Sequence, residues 1–152
     1  MRSVNPYLNF NGNTEEAFKF YQSVFGGELS VTRFKDFRQM EGMPPLSEAD
    51  GEKIGHISLP LGNGAILMGT DALESLGMVV TPGNNYHITL ETDTAEEADR
   101  IFNALSEGGR VEMPLQKTEW AEKYGSFVDR YGVQWMVNYT GDVQWETSEE
   151  GQ

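Results

Sequence analysis

Apolar residues change their period several times along this chain, and each change marks an element. Ala17, Phe20, Tyr21 and Val24 fall at i, i+3, i+4 and i+7, the spacing that lines up side chains on one face of an α-helix. Ala98, Ile101, Phe102 and Leu105 repeat that stripe at an offset of 81 residues, from Val24 to Leu105 as from Asn13 to Thr94. Asn13-Thr14-Glu15-Glu16-Ala17 recurs with it as Thr94-Ala95-Glu96-Glu97-Ala98. Asn13 with Glu16, and Thr94 with Glu97, have the spacing of a capping box. Gly26-Gly27 and Gly108-Gly109 then end the helices.

Outside the helices the pattern is alternating or β-prone. Val4–Phe10 reads as a strand, followed after the first helix by Glu28–Phe37. Arg38–Lys53, with Pro44-Pro45, reads as a lid-like loop. Ile54–Leu61 and Ala65–Thr70 form a hairpin about Gly62-Asn63-Gly64, and Asp71–Asn85 connects to a second half. There Tyr86–Thr92, a helix over Ala95–Glu107, Arg110–Lys117 and a pair near Ser126–Asp129 and Val133–Tyr139 repeat the order.

The expected fold is therefore α+β, with two tandem β-α-β-β-β modules at about 1–71 and 85–140. They form one domain over 1–140, and an acidic tail follows over 141–152. One face of each sheet packs under its helix. The other faces are expected to form a curved mixed sheet around a cavity, where a small-molecule ligand would sit.

Composition narrows the chemistry. A net charge of −13 disfavours nucleic acid and anionic membrane surfaces as partners. No apolar run is long enough for a membrane span and no signal-peptide pattern opens the chain, so a cytoplasmic protein is expected. With no cysteine and only His56 and His87, thiol nucleophiles, thiolate metal sites and a multi-histidine centre within one chain are excluded.

Two duplicated β-α-β-β-β modules of this length resemble the vicinal oxygen chelate superfamily of glyoxalase I, extradiol dioxygenases and bleomycin-resistance proteins. Asn5-Pro6-Tyr7-Leu8, Met68-Gly69-Thr70-Asp71 and the run Asp129-Arg130-Tyr131-Gly132-Val133-Gln134-Trp135-Met136-Val137-Asn138 are similar to its PhnB-like branch. Members of that branch often carry a methyltransferase name, but the sequence lacks a Gly-rich nucleotide-binding turn between strand and helix.

The resemblance implies a divalent metal held by one residue on each of the first, fourth, fifth and eighth strands. Those positions match Asn5, Met68, His87 and Met136. One imidazole, one amide and two thioethers make a poor set for Zn, Ni, Mn or Fe(II). No tightly bound metal or other cofactor is expected, and His87 is the ligand if there is one.

Strand alternation turns Asn5, Tyr7 and Asn9 inward in the first half, and His87, Thr89 and Glu91 in the second. Gln134, Met68, Met136 and Trp120 complete the expected ligand-binding set, with Tyr124 as a further aromatic wall and Trp135 in the core. His87 is the candidate catalytic residue. His56 reads as a structural strand histidine, and Arg33, Arg38 and Arg130 as surface partners of carboxylates.

The leading expectation is a PhnB-like protein binding an unidentified small molecule, with catalysis left open. The resemblance also implies a homodimer. One alternative is a metal-dependent lyase, isomerase or dioxygenase in which His87 is a ligand and the others come from residues such as His56, Glu91 or Asp71. The other is a protein that sequesters a cationic antibiotic.

Overall fold

In the computed structural model, residues 1–37 and 44–144 are described, and they fall into two compact units divided between Thr81 and Pro82. Within the first, β1 (Tyr7–Phe10), α1 (Thr14–Phe25), β2 (Ser30–Arg33), α2 (Glu48–Gly51), β3 (Ile54–Gly62) and β4 (Ala65–Asp71) follow in order. The second contains β5 (Ile88–Glu91), α3 (Ala95–Ser106), β6 (Arg110–Gln116), β7 (Lys123–Val128) and β8 (Gln134–Tyr139). Each unit has one mixed four-stranded sheet, ordered β1-β4-β3-β2 and β5-β8-β7-β6. In both, the first strand pairs in parallel with the last and the other pairings are antiparallel. This is the α+β fold with tandem β-α-β-β-β modules read from the repeat.

The apolar stripes form the two cores. Ala17, Tyr21 and Val24 of the expected α1 stripe are buried, with Phe18 in the core in place of the expected Phe20, which is only half-buried; they pack with Leu8, Phe10, Ile57, Leu59 and Leu67, and Ala98, Ile101, Phe102 and Leu105 of α3 with Phe127, Trp135 and Val137. The aromatic rings meet edge to face, Phe18 with Tyr21 at 5.6 Å and Phe102 with Phe127 at 5.1 Å between centroids. A strand glycine admits each helix to close approach. A Cβ on Gly69 would stand 2.8 Å from the Phe18 ring and 3.0 Å from the Leu8 carbonyl, and one on Gly125 2.7 Å from Phe102 and 2.8 Å from the Met113 carbonyl.

The two helices start differently. Thr94 caps α3 as expected, its hydroxyl accepting the Glu97 N–H at 3.1 Å. Asn13 makes no side-chain cap on α1, contrary to the repeat. The Asp71 carboxylate, at the end of β4 and 2% exposed, takes that place. It accepts the Thr14 N–H at 3.1 Å, the Thr14 hydroxyl at 2.6 Å and the Ile54 N–H at 2.9 Å. The carboxylate takes the first helical N–H, a different donor from the N2 or N3 N–H that an Asn13 cap would use, and its charge complements the helix N-terminus.

Boundaries moved where local hydrogen bonding intervened. The second strand ends at Arg33 because the register shifts after Thr32 and the chain turns into a 3₁₀ segment over Phe34–Asp36, whose first N–H donates to the Lys53 carbonyl. Of the expected loop Arg38–Lys53, residues 38–43 lie outside the described residues. The rest contains α2, capped by the Ser47 hydroxyl accepting from the Asp50 N–H at 3.1 Å. In the first hairpin, Asn63 and Gly64 take φ of 53° and 80°, the paired positive values of a type I′ turn. The last pair is longer than expected, starting at Lys123 rather than near Ser126. The acidic tail is described only through residue 144. No helix among the described residues is long and apolar enough to cross a membrane.

Candidate functional site

Each sheet keeps one face free of its helix, and strand register shows which residues share it. In the second unit Thr89, Met136, Ser126 and Met113 are successive cross-strand partners. Glu91, Asn138, Tyr124 and Gln116 form the next row. Leu90 and Val137 alternate to the helix side, so Thr89, Glu91 and Met136 stand on the open face as expected.

His87, just before β5, lies at one edge of this sheet, and Glu112 on β6 lies at the other. Their side chains meet nonetheless, His87 Nε2 lying 3.1 Å from Glu112 Oε1. Three strand spacings separate the two backbones, about 14 Å in a flat sheet, a gap the two side chains reach across. A register shift between Val111 and Met113 helps, because it makes Glu112 the extra residue of a bulge, a feature that re-aims a side chain. An ionised carboxylate only accepts, so this contact assigns the His87 proton to Nε2 and leaves Nδ1 as the basic nitrogen.

Glu91 is exposed and held in place, since Asn138 Nδ2 donates to its two oxygens at 3.1 and 2.9 Å. Asn138 is 6% exposed, and its Oδ1 is buried without a hydrogen-bond donor among the described residues. Next to it the Tyr124 hydroxyl donates to Met136 Sδ at 3.3 Å, with Thr89 Oγ1 3.8 Å from the same sulfur. Trp120 stands edge to face on Tyr124 at 5.1 Å, which brings it to this face. Gln134 is placed differently from the sequence reading. It is 3% exposed, and its amide donates to the Gly83 carbonyl at 3.1 Å, so it anchors the connector and is not presented to a ligand.

On the open face of the first sheet Tyr7, Met68, Ser58 and Ser30 form one row, with Asn9 and Thr70 paired in the next. His56 belongs here too. Its Nδ1 lies 3.2 Å from the Tyr7 hydroxyl, with ring centroids 5.7 Å apart. Tyr7 is 44% exposed, yet the partial burial of its phenol raises its pKa above that of free tyrosine, and a hydrogen bond from the Thr70 side chain opposes that rise. Asn5 does not present its amide to a ligand as expected, because its Oδ1 accepts the Ile66 N–H at 3.0 Å and ties the entry of β1 to β4. Asp71 is spent on α1, and Arg33 pairs with Glu15 at 2.8 Å. Arg130 donates to the Glu107 carbonyl, and Arg38 lies outside the described residues.

Sequence reasoning missed Glu112, Asn138 and the role of His56. Asn138 stood within the quoted motif, and its alternation with Trp135 and Val137 was the signal that could have found it. For Glu112 no such signal existed, because the bulge breaks the alternation.

The divalent metal implied by the fold does not fit these donors. The matching positions supply one imidazole, an amide oxygen already bonded to backbone, and two thioethers, one of them accepting from a tyrosine hydroxyl. Hard or borderline divalent ions prefer carboxylate and imidazole. No cluster of three His, Cys, Asp or Glu suited to a metal occurs among the described residues.

Comparison with known proteins agrees with the module order. The family model described as 3-demethylubiquinone-9 3-methyltransferase matches residues 2–138. Protein YjdN of Escherichia coli (strain K12) is 32% identical over 143 residues, covering 89% of this chain and 93% of that protein. The crystal structure of protein PA1353 from Pseudomonas aeruginosa is 40% identical with a TM-score of 0.77, covering 90% of this chain and 96% of that one. A Bacillus cereus structure, described as a putative 3-demethylubiquinone-9 3-methyltransferase and PhnB protein, is 28% identical with a TM-score of 0.66, over 90% and 98% of the two chains. More distant glyoxalase/bleomycin-resistance structures share the fold. With its repeat, sheet order and these matches, the chain belongs to the 3-demethylubiquinone-9 3-methyltransferase family.

Proposed function

We propose that this protein binds a small polar organic molecule on the open face of the second sheet, with His87 as its proton-accepting group and without a tightly held metal. The observation that carries the reading is the His87–Glu112 hydrogen bond across the open face of the second sheet. It orients the imidazole and leaves Nδ1 to accept a hydrogen bond or a proton from a bound molecule. The same orientation would serve a metal-binding imidazole, and the softness of the companion positions is what supports the metal-free reading. Met68, Met136 and the engaged Asn5 amide argue against a divalent ion.

The methyltransferase name stays with the family. The strand–helix junctions here, Asn11-Gly12-Asn13 and Thr92-Asp93-Thr94, are not Gly-rich turns of the kind that seat a nucleotide cofactor. A soluble homodimer acting in the cytoplasm is the setting we propose from the resemblance.

The test is calorimetric titration of chelator-stripped protein with Zn, Ni, Mn and Fe(II), alongside a small-molecule screen read by amide shifts. We expect no sub-micromolar metal binding, and ligands that shift His87 and its neighbours but lose affinity in His87→Ala. Tight binding of one metal per chain, abolished in His87→Ala, would refute the metal-free reading.

A further inference from the structure

We infer that Ser126 is the specificity-determining contact of the second sheet, the floor of a dent that admits one small polar group of the bound molecule, a hydroxyl or a carbonyl oxygen. The inference rests on the reading above, that this face holds a ligand, and names the point at which the ligand's shape is read.

Ser126 lies on β7, with β8 on one side and β6 on the other. Register pairs it with Met136 and with Met113, and strand alternation puts Tyr124 and Val128 on the same face, two residues to either side. All four neighbours are larger than serine. Cross-strand partners stand about 4.5–5.5 Å apart at Cβ, so a short side chain ringed by longer ones leaves a dent. Glu112 stands at its edge, because the bulge sets it between Val111, the partner of Phe127, and Met113, the partner of Ser126. His87 Nε2 lies 3.1 Å from Glu112 Oε1, so the imidazole reaches that same edge.

The hydroxyls of this face set Ser126 apart. Those of Tyr124 and Thr89 both turn to the Met136 sulfur, at 3.3 and 3.8 Å. Ser126 faces that methionine across the ladder and is 8% exposed. Its hydroxyl nevertheless has no partner among the described residues and, unlike Asn138 Oδ1, is not closed off from solvent. A nearly buried residue whose polar atom stays reachable and unpaired is a hydrogen-bonding point for a group that enters. The flanking thioethers bring no donor, so the hydroxyl is left to donate to an arriving oxygen or to accept from an arriving O–H. Bulkier groups meet Met136, Met113 and Tyr124 first.

The chain has no cysteine, so Ser126→Cys in the full chain carries a single thiol at the floor of the dent. The experiment follows its reaction with methyl and benzyl methanethiosulfonate, two uncharged reagents that differ in bulk, by intact mass in the folded protein and in urea. The thiolate displaces methanesulfinate and gains a methylthio or benzylthio group. We expect the methyl reagent to label the folded protein at least about tenfold faster than the benzyl reagent, each relative to its rate in urea, and the attached methylthio group to move the His87 ring signals in the NMR spectrum. Compounds that shift His87 in the screen above should bind about three- to tenfold more weakly to Ser126→Ala, which loses the hydroxyl and keeps the dent, and should not bind Ser126→Met, which fills it. No labelling of the folded protein, equal relative rates for the two reagents, or His87 signals unmoved by the label would overturn the inference. If compounds shift His87 equally in wild type and in a natively folded Ser126→Met, the dent assignment fails and the binding reading survives. If none shifts His87 in wild type, the binding reading fails and this inference with it.

Discussion

Replacing Asp71 by alanine should cost about 3–5 kcal/mol of stability, because it leaves two buried backbone donors unsatisfied at about 1–3 kcal/mol each. The carboxylate accepts three hydrogen bonds, each worth about 1.5–3 kcal/mol when one partner is charged. These do not add in full, because the freed Thr14 hydroxyl can rotate to another acceptor. The backbone N–H groups of Thr14 and Ile54 cannot, so two donors are left in the interior beside a residue 2% exposed. The loss also removes a negative charge from the start of α1. The assay is urea unfolding followed by far-UV circular dichroism. With a slope of about 2 kcal/mol per molar, the midpoint should fall by about 2 M. Asn13→Ala is the matched control. It removes the residue that the repeat nominates as the cap but deletes no side-chain cap bond, and should cost under about 0.5 kcal/mol. Thr94→Ala, which does delete a cap bond, should cost about 1 kcal/mol. An Asp71→Ala loss below about 1 kcal/mol, or an Asn13→Ala loss equal to it, would refute the assignment of Asp71 as the anchor of α1.

Two further expectations follow from the packing and from Tyr7. Gly69→Ala and Gly125→Ala each place a methyl against a buried phenylalanine and a backbone carbonyl, and should each lose about 1–3 kcal/mol by overpacking, read from the same urea midpoints; neutral substitutions would mean that the helices do not approach as closely as described. Tyr7 should ionise at higher pH than free tyrosine because burial disfavours the phenolate. Its folded pKa then exceeds its unfolded one, so its contribution to stability is complete below about pH 10 and vanishes as pH climbs through the folded value. Difference absorbance at 295 nm between wild type and Tyr7→Phe should show that late titration, and a Tyr7 signal at or below pH 10.0 would refute the burial argument.

What the sequence disclosed divides by the range of the interactions involved. Thr94 and Glu97 are three residues apart, so their cap was legible from spacing alone. Asp71 and Thr14 are 57 residues apart, and no local pattern links them. The hydrophobic stripes placed both helices because one buried face imposes a strict period. The same alternation placed Thr89, Glu91, Met136 and Tyr7 on open faces. It failed at Glu112 because a bulge inserts a residue and ends the alternation that the reading depends on. It gave Gln134 a face but not a fate, since its partner is a carbonyl in the connector, at Gly83. Asn5 went the same way, its amide taken by the Ile66 N–H. Alternation reports which side a side chain leaves from, and says nothing about what has already claimed it.

The duplicated scaffold turns that limit into a comparison between equivalent positions. Register puts Asn9 with Thr70 in the first sheet where Glu91 pairs with Asn138 in the second, the row beyond Met68 and Met136 respectively. In the first sheet Thr70 turns its hydroxyl back to the Gly55 carbonyl at 2.9 Å, so the row closes on its own backbone and leaves no charge on the face. In the second, Asn138 cannot satisfy a carboxylate and its own oxygen together, and the row ends with an exposed anion beside an unmet acceptor. Both rows rest on equally buried helix packing, so the fold does not require the difference. An unmet buried acceptor costs about 1–3 kcal/mol and brings the second sheet no packing that the first lacks. The two rows therefore differ in side-chain chemistry alone, a hydroxyl closed on its own backbone in the first and a carboxylate held by an amide in the second.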